Sequence, residues 1–235
     1  MRAALAALAI AAAAPALAAP PPRDAALHAL FDREFRRSLQ EAPEVATLLG
    51  VPDFNDRLQD PSPEAVQRRR DQARVTIREL ERFDPKRLSA ADRLSREVML
   101  DTLRRLDATN AHYGPLPFGG GTDGYLPVST MWGPHQAWSM IAKAAPFAMT
   151  RDYDNFLARL EAMPRVLEHL QARMRAGMRW GWVAPRAAMV RVPGMLAPFA
   201  AEDVTATPLW TPFRSFPGAV PAAFISMSIG TCMVP

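Results

Sequence analysis

Among 235 residues there is a single cysteine, Cys232. An intramolecular disulfide is therefore excluded, and packing alone must hold the fold. No charged neighbour lowers the Cys232 pKa, so it reads as inert rather than nucleophilic. Lysine is almost as scarce, with Lys86 and Lys143 the only two. The other cations are arginines that alternate with acids, as in "DREFRRSLQE" and "RRRDQARVTIRELER", and the net charge is +4. That mixture describes solvated helix faces and argues against a nucleic-acid stripe.

Motifs are missing too. The histidines His28, His112, His135 and His169 form no i, i+4 pair, so no helix presents two imidazoles to a zinc ion in the H-E-x-x-H manner. There is no G-x-S-x-G elbow. Gly119-Gly120-Gly121 lacks the G-K-[ST] of a phosphate-binding loop. No catalytic residue and no metal ligand can be assigned from these patterns.

What is present begins with "MRAALAALAIAAAAPALAAPPP". Arg2, an apolar run from Ala3 to Ala14 and Ala16-Leu17-Ala18 have the form of a secretory signal peptide over residues 1–19. Cleavage is expected after Ala18 or Ala19, giving an exported periplasmic or secreted protein. The run is short of the ~20 residues that span a bilayer, so no membrane anchor is expected.

The mature chain reads as mainly α. Leu27, Leu30, Phe31, Phe35 and Leu39 recur at helical spacing within 24–49, with Pro43 as a break. "GVPDFNDRLQDPSP" is a loop. Ser62-Pro63 starts the next helix, with Val66, Ala73, Ile77 and Leu80 on one face and Asp84-Pro85 at its end. Ser89 to Asp92 resembles a capping box opening a helix to about Asp107, with Leu94, Val98, Leu103 and Leu106 inward. Thr150 is the expected N-cap of a long helix with an apolar stripe from Tyr153 to Met178. Pro164 should kink or divide it, and Gly181 should end it. A further helix is expected from Pro185 to about Ala200, interrupted near Pro193-Gly194, and the chain beyond Ala201 is Pro-rich and irregular.

A Gly- and aromatic-rich loop over 113–138 interrupts this rhythm. Tyr125, Trp132, His135 and Trp138 bring aromatic surface and a titratable group into it, and are the candidates for one wall of a substrate cleft.

Several segments together resemble a known family. They are the stretch from "LLGVPDFNDRLQDPSPEAV" to "LSAADRLSREVML", then "TRDYDNFLARLEAMPRVLEHLQARMRAGMRWGWVAPRAAMVRVPGML", then "PFRSFP". Their order and spacing resemble the bacterial "domain of unknown function 885" family, from about Asp24 to Pro217. The resemblance implies an irregular multi-helix array, the N-terminal half of a larger exported zinc-peptidase-like fold. It implies zinc and a peptide substrate for full-length members. The family's zinc segment resembles His-Glu followed by Pro-Gly-His-His. It has no counterpart here, so no cofactor is expected in this chain, and a truncated form inactive alone is the leading expectation. A periplasmic helical binding module that uses the 113–138 loop is the alternative, and a purely structural helical protein a third.

The last stretch, 218–235, is uncharged and atypical. A strand over Phe224 to Ile229 is one reading of it. The resemblance favours another, in which the last 12–15 residues are a foreign end, disordered or weakly packed.

Overall fold

The computed structural model describes residues 24–112, 126–130, 132–221 and 223–224. Among these there is no strand; the fold is an irregular array of helices. The helices are α1 Ala25–Glu41, α2 Pro43–Leu48, α3 Pro63–Glu81, α4 Ala90–His112, α5 Pro134–Ala144, α6 Thr150–Trp180, α7 Arg186–Met189 and α8 Val192–Leu196. Short 3-10 turns complete it, the longest of them Pro208–Phe213. None of the described helices is long and apolar enough to cross a membrane.

Local chemistry sets most of the boundaries. Asp24 caps α1 by accepting from the Leu27 N–H at 2.9 Å. Ser62 caps α3 through Ala65 N at 3.2 Å, with Pro63 as its first residue. Gly181 ends α6 at φ +76°, a left-handed position that glycine takes without strain. Thr150 is the first residue of α6 rather than its cap. The Asp152 carboxylate does the capping, accepting from the N–H groups of Ala148 and Met149 at 2.9 and 3.0 Å. Pro164 does not divide the helix, which is continuous over 31 residues. The proline itself lies on an exposed side of the helix, where its ring meets no core side chain. The break expected near Pro193 comes instead at Val190–Arg191, between α7 and α8.

Two apolar clusters form the core. The first joins α1, α3 and α4 through Leu27, Leu30, Leu80, Leu88 and Leu100. The second joins α5 and α6 to the C-terminal segment through Trp138, Ile141, Tyr153, Phe156, Met163 and Phe213. Its aromatic rings touch edge to face or tilted, with centroids 4.9 to 6.3 Å apart.

Two inward faces differ from the periodicity. On α1, Phe35 is exposed and Glu34 is buried instead, bonded to Arg37 and to the Thr76 hydroxyl at 2.9 Å. On α4, Leu94 and Val98 are 62% and 59% exposed, and Leu106 is exposed as well. The inward face runs through Asp92, Arg96, Leu100 and Leu103. Polar anchors turn the helix that way. Arg96 Nε donates to the Leu80 carbonyl at 2.9 Å, serving an acceptor at the end of α3. Only half of the capping box forms, the Asp92 N–H donating to Ser89 Oγ at 3.1 Å. The Asp92 carboxylate reaches α1 instead, accepting from Asp24 N at 2.9 Å and from His28 Nε2 at 2.8 Å. Those two contacts hold its pKa below the ordinary aspartate value.

The packed structure continues past Pro217. Val220 and Phe224 are buried in the second cluster, and Phe224 lies in a helical turn rather than a strand. Residues 225–235, including Cys232, lie outside the described residues.

Candidate functional site

Of the four residues singled out in the sequence, Tyr125 lies outside the described residues. The other three do not share one surface. His135 and Trp138 belong to α5, not to a loop, because Pro134 opens the helix immediately after Gly133. Trp138 is a core residue beside Ile141, Tyr153 and Phe156. Only Trp132 is exposed.

The segment leading into α5 is tightly tied. Ser129 N donates to the Trp132 carbonyl at 2.6 Å, and Trp132 N donates back to Ser129 Oγ at 3.0 Å. Gln136 Nε2 donates to the Thr130 carbonyl at 2.9 Å, fastening that turn to the helix. Gly133 has φ +154°, and the His135 ring lies directly against its Cα hydrogens. His135 is 5% exposed, and neither ring nitrogen has a hydrogen-bond partner among the described residues. Burial holds its pKa below the ordinary histidine value, so the ring is neutral at neutral pH.

The sign of the linkage follows. The unfolded chain takes up a proton near the ordinary histidine value, and the folded chain resists it. Stability contributed by neutral His135 is therefore complete above about pH 6.5 and is lost as the pH falls below it. His135→Gln should flatten the fall in Tm between pH 7 and pH 5, measured by circular dichroism melts. An unchanged slope would assign it to other groups.

Beside this segment an apolar pocket of about 230 Å³ opens between residues 126–128 and the C-terminal end of α6. Leu126, Val128, Met174, Met178, Trp182 and Met189 line it, and no charged side chain does. Thioethers adapt to different apolar shapes, and the indole supplies a flat wall. The arrangement suits an apolar side chain presented from outside.

A second constellation, missed in the sequence, holds the loop between α2 and α3. Arg159 of α6 is 1% exposed. Its Nε donates to the Arg57 carbonyl at 2.8 Å, and its Nη2 to Thr47 Oγ1 at 2.6 Å and the Phe54 carbonyl at 3.2 Å. Thr47 in turn donates to Asn55 Oδ1 at 2.7 Å. Further along the same helix, buried Arg173 donates to the Pro61 carbonyl at 3.1 Å. Burial pulls Arg159 below its ordinary pKa, against the attraction of Glu44 and Asp56. Burial likewise pushes the Glu44 carboxyl up, although the Gln59 N–H bonds to it at 3.0 Å. The one sequence clue was position: Arg159 is three residues after Phe156 and four before Met163, on the apolar stripe itself.

These features lie within one matched region. Residues 43–227 match the family described as "Bacterial protein of unknown function (DUF885)". The chain belongs to that family. No curated protein matches it. The DUF885 match takes in the arginine-held loop, the Gly133–His135 pair, the Met-lined pocket, and Val220 and Phe224 beyond Pro217.

Zinc, which the family resemblance implies, does not fit the described residues. No three His, Cys, Asp or Glu side chains among them come together to hold a metal. His28 is engaged with Asp92, and His135 is sealed against Gly133.

Proposed function

We propose that this chain supplies one substrate-binding wall of an exported, metallopeptidase-like hydrolase, with the metal and the general base contributed by residues outside those described. The Met-lined pocket at the end of α6 is the observation that carries this reading. It is apolar, shaped by side chains from two separate segments, and opens beside the segment that carries the exposed Trp132. An extended peptide could lay a Leu- or Phe-sized side chain into it. Family membership supports the reading, as do the apolar side chains that α4 leaves uncovered at Leu94, Val98 and Leu106.

The chain without its signal segment should bind a short leucine-rich peptide and show no chelator-sensitive peptidase activity. Met174→Glu should weaken that binding at least about tenfold by placing a carboxylate against the apolar walls. Calorimetry with the peptide, a peptidase assay and metal analysis check this. Stoichiometric zinc with turnover abolished by a chelator would overturn the division of labour. Unaltered peptide binding by Met174→Glu would overturn the pocket assignment.

A further inference from the structure

A different cavity lies along α6, ~21–27 Å from the Met-lined pocket at 1.5 Å of rise per residue between Leu160 and Met174–Met178. It has a volume of about 360 Å³ and opens between the middle of α6 and the C-terminal 3-10 turns. Core residues Met163 and Phe213 form its floor, and half-buried Leu160, Trp210 and Phe199 its sides. That volume falls in the range of small-molecule sites.

The polar side chains of this cavity are two, Thr207 and Glu161. Thr207 Oγ1 is committed, donating to the Val204 carbonyl at 2.8 Å. The other is the Glu161 carboxylate at the rim, which forms no ion pair or hydrogen bond among the described residues. No arginine or lysine lines the cavity to offset it.

We propose that this cavity binds a small ligand with an apolar or aromatic body and a cationic amine head. The body lies on Leu160, Met163 and Phe213. The ammonium sits between the Glu161 carboxylate and the face of Trp210, where charge attraction and the ring quadrupole act together. An anionic amphiphile of the same size is disfavoured by Glu161. The proposal is independent of the peptide-wall reading, because the two cavities share no residue.

The probe is 2-phenylethylamine, compared with 2-phenylethanol and 3-phenylpropanoate by calorimetry on the whole chain. The amine should bind about two- to five-fold more tightly than the alcohol, the scale of an exposed ion pair, and the carboxylate should bind weakest. Glu161→Gln, an exposed change that leaves the core intact, should bring the amine and the alcohol to equal affinity. Leu160→Trp should fill the cavity and abolish binding of both, with cooperative melting retained as the check on folding. Absence of amine binding, equal affinity of the three probes, or discrimination that survives Glu161→Gln would overturn the proposal. So would self-association that buries the cavity, seen as a doubled mass in sedimentation together with loss of amine binding.

Discussion

Arg159→Ala should destabilise the fold by about 3–5 kcal/mol, the largest loss expected from any single polar substitution here. The guanidinium occupies a site with almost no access to water and bonds to the Arg57 and Phe54 carbonyls and to Thr47 Oγ1, with the Pro43 carbonyl at 3.4 Å. Truncation removes all of these bonds and empties the volume of a fully buried side chain. The Arg57 carbonyl loses its donor, while the Phe54 carbonyl keeps the Arg57 N–H and Thr47 Oγ1 keeps Asn55. An unsatisfied buried carbonyl costs more than the bond itself contributes, because it gives up water and gains nothing. In a domain of this size the loss corresponds to a fall in Tm of about 6–20 °C. Arg159→Lys should recover less than half of it. A single ammonium cannot span acceptors that a planar fork reaches from two nitrogens. Hydrogen exchange should also accelerate first in residues 50–61, the loop these bonds hold. A variant melting within about 2 °C of the parent would show that the loop is held by other contacts.

The second large effect is expected at Gly133. A Cβ there would stand 2.8 Å from His135 Cε1 and 2.9 Å from its Nδ1, and the backbone has φ +154°. Alanine would face both a collision and a disfavoured conformation. The ring cannot swing away at low cost, because His135 is buried. Gly133→Ala should therefore cost about 2–4 kcal/mol. The two causes separate in a double-mutant cycle. Introduced into His135→Ala, the same substitution should cost at least about 1 kcal/mol less, since only the backbone strain remains. Strict additivity, read from chemical denaturation, would mean that the ring contact does not constrain position 133.

Both sites show why the candidate region was only partly readable. The stretch from Gly133 to Trp138 stood out in the sequence for its aromatic and titratable residues, and the structure does place an unusual arrangement there. Its character is different, however. Proline at 134 starts a helix, and the helix carries His135 and Trp138 inward, leaving Trp132 outside. The roles of Arg159 and Arg173 were not readable, although the position of Arg159 on the stripe was a clue. An arginine on an apolar stripe looks like a misplaced surface residue until its acceptors are known. Those acceptors are more than 100 residues away in sequence.

The family and the helical class follow from residue order alone. Proline at first helical positions, serine and aspartate caps, the Gly181 stop and the Tyr153–Leu170 stripe act within a few residues of themselves, so they need no tertiary information. Scarcity of cysteine likewise settled that packing holds the fold. The inward face of α4, unlike those of α3 and α6, was decided only in three dimensions. On α4 the apolar row of Leu94, Val98 and Leu106 competed with a face bearing Asp92 and Arg96. The second face won because Asp92 satisfies the start of α1 and Arg96 the end of α3. Helix ends carry backbone groups that need partners, and those partners come from whichever helix the fold brings near. Periodicity cannot register such a demand, because it originates in another part of the chain.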